Sequence, residues 1–184
     1  MSKRIAYLAA AAFGALSLTS TFVAPARAEE KTVMVGGAAM YPSKNIIQNA
    51  VNSKDHTTLV AAVKAAGLVQ TLEGKGPFTV FAPTNTAFGK LPAGTVDTLV
   101  KPENKATLTK ILTYHVVPGK LEAADLKDGQ VLKTVEGEQL TVKRDGKSVM
   151  IMDAKGGTSM VTVPNVNQSN GVIHVVDTVL MPAS

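Results

Sequence analysis

The sequence predicts an α+β domain, and three observations lead there. Stretches with apolar residues at helical spacing fill the chain up to about Tyr114, and stretches of strand character follow from Val116. The two kinds are segregated, without the regular alternation that a parallel α/β fold shows. No internal repeat or low-complexity tract is visible, and 184 residues at 45% apolar composition suffice for one domain with one hydrophobic core.

The N-terminus reads as a separate device. Lys3 and Arg4 precede an apolar run from Ile5 to about Leu18, and Ala26-Arg27-Ala28 supplies a small-residue cleavage pattern before Glu29. Residues 1–28 are therefore expected to be a secretory signal peptide. The apolar run is too short for a membrane anchor, so no stable membrane insertion is expected after cleavage. Residues 29–42, rich in Gly, Ala and Met and ending in Tyr41-Pro42, read as a flexible leader to a domain over 43–184.

Within that domain Ser43 is expected to cap a helix that carries Ile46, Ile47, Ala50 and Val51 on one face. A second helix starts near Thr57, aligns Leu59, Val60, Val63 and Ala66, and stops at Gly67. Phe78 to Phe81 are β-branched or aromatic, so they read as a short strand apolar on both faces and hence buried on both. Pro83 cannot donate to a ladder and ends the pairing, while Thr84 suits the N-cap of a helix that returns Ala87 and Phe88 to the core. Leu91-Pro92 ends that helix, Thr95 to Val100 forms another, and Pro102 suits the first turn of a helix running to about Tyr114. There Leu108, Ile111, Leu112 and His115 stand at i, i+3, i+4 and i+7, so the His115 ring should face the core and bond a spare carbonyl at the helix end. Beyond it, Pro118-Gly119 marks a turn, Ala123 to Leu126 a helical turn and Gln130 to Val135 a strand. Gln139 to Met152 read as a hairpin about Asp145-Gly146. Thr158 to Val163 and Val172 to Leu180 are further strands, joined by a polar loop from Asn165 to Asn170.

Signal cleavage would remove Lys3, Arg4 and Arg27 but no acidic residue, so the net charge would fall from +5 to +2. No run of Lys and Arg would remain, and three tyrosines with five phenylalanines make no basic and aromatic surface. Nucleic acid is therefore not an expected partner. The chain has no cysteine, which removes disulfides, thiolate metal sites and cysteine nucleophiles in one step. An exported chain without disulfides relies on its core and suits a bacterial periplasmic or secreted protein.

Thr79-Val80-Phe81-Ala82-Pro83-Thr84, followed by Asn85-Thr86-Ala87-Phe88, resembles the first signature motif of the fasciclin-like domain family. Tyr114-His115-Val116-Val117-Pro118-Gly119 resembles its central Tyr-His motif, and residues 170–182 resemble its C-terminal motif, in the family's order. From about Ser43 to Pro182 the chain is similar to bacterial secreted single-domain members. His56 departs from the pattern, standing where the family usually carries an aromatic, and is expected as a half-exposed substitution at a helix start. The resemblance implies a wedge of two β-sheets with several packed α-helices and an adhesive or matrix-binding role; no cofactor is expected, and the chain is expected to be a monomer. In adhesive members the Tyr-His motif is tied to receptor contact, which would require Tyr114 to be partly exposed.

Geometry weighs against an enzyme. His174 and Asp177 are three apart on an expected strand, so their side chains point to opposite faces. His56, His115 and His174 lack the spacing of a zinc site, and neither G-x-S-x-G nor a Gly-rich phosphate loop occurs. Asp125 and Asp128 offer too few oxygens for calcium, and Asp177 reads as a structural hydrogen-bonding group. No catalytic or metal residue is expected. The candidate binding residues are Tyr114, His115, Asn167 and Asn170, with a structural role ahead of a binding role for each. Asn167-Gln168-Ser169 matches a glycosylation sequon, a chance match in a bacterial chain that marks an exposed loop.

The function expected is an exported, non-enzymatic module contacting a cell-surface or matrix protein or a polysaccharide. The alternative is a periplasmic carrier of a small apolar ligand, which needs an apolar pocket of about 300 Å³ or more. Mass spectrometry of the exported protein should find Glu29 as its first residue in a soluble fraction; full-length chain recovered from membranes would contradict the cleavage reading.

Overall fold

A computed structural model describes residues 31–183, so the expected signal peptide lies outside the described residues. The described chain opens with a hairpin, β1 (Val33–Val35) and β2 (Ala38–Met40), turned by Gly36 and Gly37 at positive φ. The stretch read as a flexible leader is thus corrected to a small antiparallel sheet. Its inward residues Val35 and Met40 are buried, and the Gly36 carbonyl accepts the Lys54 N–H at 3.2 Å. Gly36 has no substitute there, because a Cβ would fall on Ser53 Oγ and 2.7 Å from the Asp55 nitrogen.

Helix α1 (Ile46–Ala50) is capped by Asn45 rather than by Ser43. Asn45 Oδ1 accepts the Gln48 N–H at 2.8 Å, and Gln48 Oε1 accepts the Asn45 N–H at 3.1 Å, a reciprocal capping box. Helix α2 (Thr57–Ala66) ends at Gly67 with φ 74°, as its stop signal predicts, and the short α3 (Val69–Glu73) follows. Strand β3 (Phe78–Pro83) leads into α4 (Asn85–Gly89), whose cap is Thr84: Oγ1 accepts the Ala87 N–H at 3.2 Å. Helix α5 (Thr95–Leu99) precedes a 3₁₀ turn that begins at Pro102 and enters α6 (Lys105–Tyr114).

The remaining strands are β4 (Val116–Pro118), β5 (Val131–Lys133), β6 (Gln139–Asp145), β7 (Ser148–Met152), β8 (Thr158–Gln168) and β9 (Gly171–Val176). The hairpin of β6 and β7 closes through Gly146-Lys147, one residue later than expected, since Asp145 pairs with Ser148 and Gly146 takes φ 58°. The expected loop Asn165 to Asn170 is also corrected: β8 continues to Gln168, and Ser169-Asn170 alone make the turn. A bulge lets it continue, with Asn165 at φ 58° and the register against β9 slipping between Val163 and Val166.

Seven strands form one sheet in the order β4-β3-β9-β8-β7-β6-β5, with β3 and β9 parallel and the other pairs antiparallel. The sheet curls until its two edges meet, where the Val135 N–H donates to the Val116 carbonyl at 2.8 Å. Two apolar clusters result. One lies between the helices and the outer face of β3, β8 and β9; the other fills the curl. Strand β3 serves both, with Val80 and Ala82 against the helices and Phe81 inside the curl at 0% exposure. The two-faced apolar pattern of this strand therefore reports real two-sided burial. Phe81→Ala should cost about 3–5 kcal/mol, read as a large fall in the urea midpoint; a melting curve shifted by only a degree or two would contradict its position.

Candidate functional site

The end of α6 delivers Tyr114 and His115 to opposite sides of the sheet. His115 lines the space between helices and sheet and is 2% exposed. Its Nδ1 lies 2.8 Å from the Ile111 carbonyl, and its Nε2 accepts the Leu180 N–H at 3.0 Å. A carbonyl can only accept, so the ring is the neutral Nδ1–H form. Its own backbone carbonyl accepts the Phe81 N–H at 2.9 Å. One residue thereby joins α6, β3 and the C-terminal tail, with its ring facing inward and bonded to a helix-end carbonyl as its place on the stripe predicts.

Tyr114 points into the curl and is 0% exposed. Its hydroxyl donates to the Gln139 carbonyl at 3.0 Å and accepts the Ala154 N–H at 2.9 Å, and burial pushes its pKa up. The partial exposure that receptor contact through this side chain requires is not found. Asn170 is likewise buried: Oδ1 accepts the Ile46 N–H at 3.1 Å, while Nδ2 donates to the Leu72 and Gly74 carbonyls at 2.7 and 2.8 Å. It ties α1 and α3 to the sheet. Asn167 is half-buried on β8, so the sequon lies in a strand rather than an exposed loop. Among the described residues its Oδ1 has no hydrogen-bond partner. Among the described residues no hydrogen bond joins any two of these four, which lie in separate surroundings.

The other histidines are interior too. His174 stacks on Phe81 at 5.7 Å between ring centroids; Nε2 donates to the Leu121 carbonyl at 2.8 Å and Nδ1 accepts the Asn165 N–H at 3.3 Å. Asp177 faces elsewhere, accepting the Met160 N–H at 2.9 Å and meeting Lys90 Nζ at 3.3 Å, so the expected separation from His174 holds. Partial burial works against its charge, yet the Met160 N–H, the Thr178 hydroxyl and the Lys90 ammonium together hold its carboxyl below the usual range. His56 is corrected from half-exposed to buried, at 3% exposure, because the β1–β2 hairpin covers this side of the helices. Its Nδ1 lies 2.8 Å from Ser53 Oγ. The Ala82 carbonyl is close enough to favour a protonated ring, but Nε2 makes no hydrogen bond among the described residues. Burial pushes His56 and His174 below the ordinary histidine range and His115 to about 4.

Sequence reasoning missed Asn49, which is 0% exposed. Its Oδ1 accepts the Tyr41 N–H at 3.0 Å, and its Nδ2 donates to the Tyr41 carbonyl at 2.8 Å and to Gln168 Oε1. The available signal was its spacing: three residues after Ile46, it sits within the apolar stripe of α1. Asp153 was missed as well, and its carboxylate accepts the Lys155, Gly157 and Met181 N–H groups at 3.0, 2.7 and 3.1 Å.

A cavity of about 40 Å³ lies between helices and sheet, where His56, His115 and Ser53 are the polar members of an apolar wall including Val35, Met40 and Leu59. The carrier alternative asks for about 300 Å³, whereas a cavity this size suits water. An open depression of about 290 Å³ over Ala93, Gly94, Thr95, Thr98 and Leu99 encloses nothing. Among the described residues no three of His, Asp and Glu stand together as metal ligands, and no helix is long and apolar enough to cross a membrane.

Comparison with known proteins places this geometry. The family profile described as Fasciclin domain matches residues 54–182. Protein sll1483 of Synechocystis is 48% identical over 179 residues, covering 97% of this chain and 95% of that protein. The cell surface glycolipoprotein MPB83 of Mycobacterium bovis is 38% identical over 153 residues, covering 80% of this chain and 64% of that protein. A solved pair of FAS1 domains from the insect cell adhesion molecule fasciclin I superposes with a TM-score of 0.68 at 19% identity, covering 77% of this chain and 52% of that one.

The three neutral rings make stability depend on pH. Each has a lower pKa folded than unfolded, so the unfolded chain takes up protons first as pH falls. Their contribution is present in full above about pH 6.5 and is lost as pH falls towards 4. For His115 alone the loss from about pH 7 to about pH 5 should be about 2 kcal/mol. Urea unfolding at those two values should show it, and His115→Gln should flatten the dependence; a wild-type midpoint equal at both would contradict the assignment.

Proposed function

Since this chain belongs to the fasciclin family, we propose that it is an exported, non-enzymatic binding module whose partner is a cell-surface or matrix protein or a polysaccharide. The match over residues 54–182 carries the reading. It is supported by the likeness to a cell surface glycolipoprotein, and the fold is that of domains from a cell adhesion molecule. The module works outside the cytoplasm, in the periplasm or beyond it, as a monomer freed of its signal peptide, with no call on nucleic acid.

Tyr114, His115 and Asn170 serve binding through the fold, by fixing the C-terminal end of α6 and the turn before β9, and Asn167 acts within β8. The contact surface is then made of outward side chains that these interior bonds hold in place. Capture from envelope and matrix extracts by the purified protein should recover a specific partner, released by excess free protein. Two variants separate the roles. His115→Ala should lose about 1–3 kcal/mol of stability and lose partner only as it unfolds, and Tyr114→Phe should behave likewise. A His115→Ala protein that melts like the wild type yet no longer binds would make the histidine a contact residue and overturn the structural reading.

A further inference from the structure

Three methionines stand together on the outer face of the curled sheet. In β7, Val149 and Ile151 are buried in the curl, so the alternating Met150 and Met152 point outward. The register sets Met160 of β8 directly opposite Met150 on that same face, and Met160 is 46% exposed. None of the three belongs to either apolar cluster. Met150 and Met152 are half-buried and Met160 is exposed, on an outward face that usually carries polar side chains and in strands that favour β-branched and aromatic residues, so strand propensity does not account for these thioethers. Directly opposed residues have Cβ atoms about 4.5–5.5 Å apart, and same-face neighbours along a strand stand about 7 Å apart. The flexible methionine side chain bridges such gaps, so three sulfurs can meet over one point.

We propose that Met150, Met152 and Met160 form a surface site for one Cu(I) ion held by three thioether sulfurs. Thioethers are soft, uncharged donors that favour Cu(I) over magnesium or calcium. With no cysteine in the chain and all three histidines buried, soft donors at the surface are methionine sulfurs, and these three share one face on adjacent strands whereas the exposed Met34 stands apart on β1. Having no proton to lose, they bind without competition from acid. The flanking positions are compatible: Thr141 and Thr158 oppose Met152, and Lys143 opposes Met150. The Lys143 ammonium rides on a flexible stem, so its repulsion of a monovalent ion at an exposed site is small and screened. The site is for binding, and no electron transfer is involved. It stands independently of the macromolecular partner proposed above.

The test uses the purified protein with Cu(I) supplied anaerobically against a coloured Cu(I) chelator, and Ag(I) as the air-stable probe for NMR of methyl-labelled methionine. One equivalent of Cu(I) should be withdrawn from the chelator. With Ag(I) the methyl signals of Met150, Met152 and Met160 should move, while that of Met34, 62% exposed on β1, stays as an internal control. Met152→Leu should weaken binding at least tenfold and the triple Leu variant should abolish it, with melting unchanged because Leu conserves volume. No withdrawal of Cu(I), a Met34 signal that moves as far as the other three, or Leu variants that bind like the wild type would each overturn the site.

Discussion

The fold hangs on the bonds made by one buried imidazole and the peptide it sits on. His115 ends α6, and its ring bonds the Ile111 carbonyl behind it and the Leu180 N–H of the tail, while its backbone carbonyl takes the Phe81 N–H of the hub strand. The ring's two bonds satisfy backbone groups that would lose their partner without it, a loss of about 1–3 kcal/mol in all. The arrangement needs a side chain that donates on one edge and accepts on the other, which neutral histidine supplies and lysine or arginine cannot. Neutrality is in turn enforced by burial, which holds the ring's pKa at about 4. His174 repeats the device inside the curl with the tautomer reversed, donating through Nε2 to Leu121 and accepting through Nδ1 from Asn165.

What was legible in the sequence is local chemistry. Thr84 caps α4 and Gly67 stops α2 because those choices concern a few consecutive residues, and Phe81 is buried because both faces of its strand are apolar. His115 was placed inward by helical spacing alone. What failed depends on distant partners. The β1–β2 hairpin is structured because Gly36 meets Lys54 and Asn49 meets Tyr41, which composition does not reveal. His56 is buried by that same hairpin. The loop expected at Asn165 is strand because a bulge and the neighbouring β9 override its polar composition. Tyr114 could have faced solvent as judged from α6 by itself, but the curl of the sheet closes over it.

These interior commitments shape the functional reading. The family's Tyr-His motif falls on groups whose polar atoms are spent on backbone, so a loss of binding on mutating them can report a loss of structure. The outer surface is then where recognition is to be sought, and the three methionines on β7 and β8 show that it is not uniformly polar.

The central claim is that His115 stays neutral with its proton on Nδ1. Nitrogen NMR of the imidazole rings measures this directly. His115 is expected to show a protonated Nδ1 and a bare, hydrogen-bond-accepting Nε2 that persist well below pH 6.5, the ring titrating only near 4 while the protein remains folded. A proton on Nε2, or a titration near the ordinary histidine value in the folded state, would contradict it.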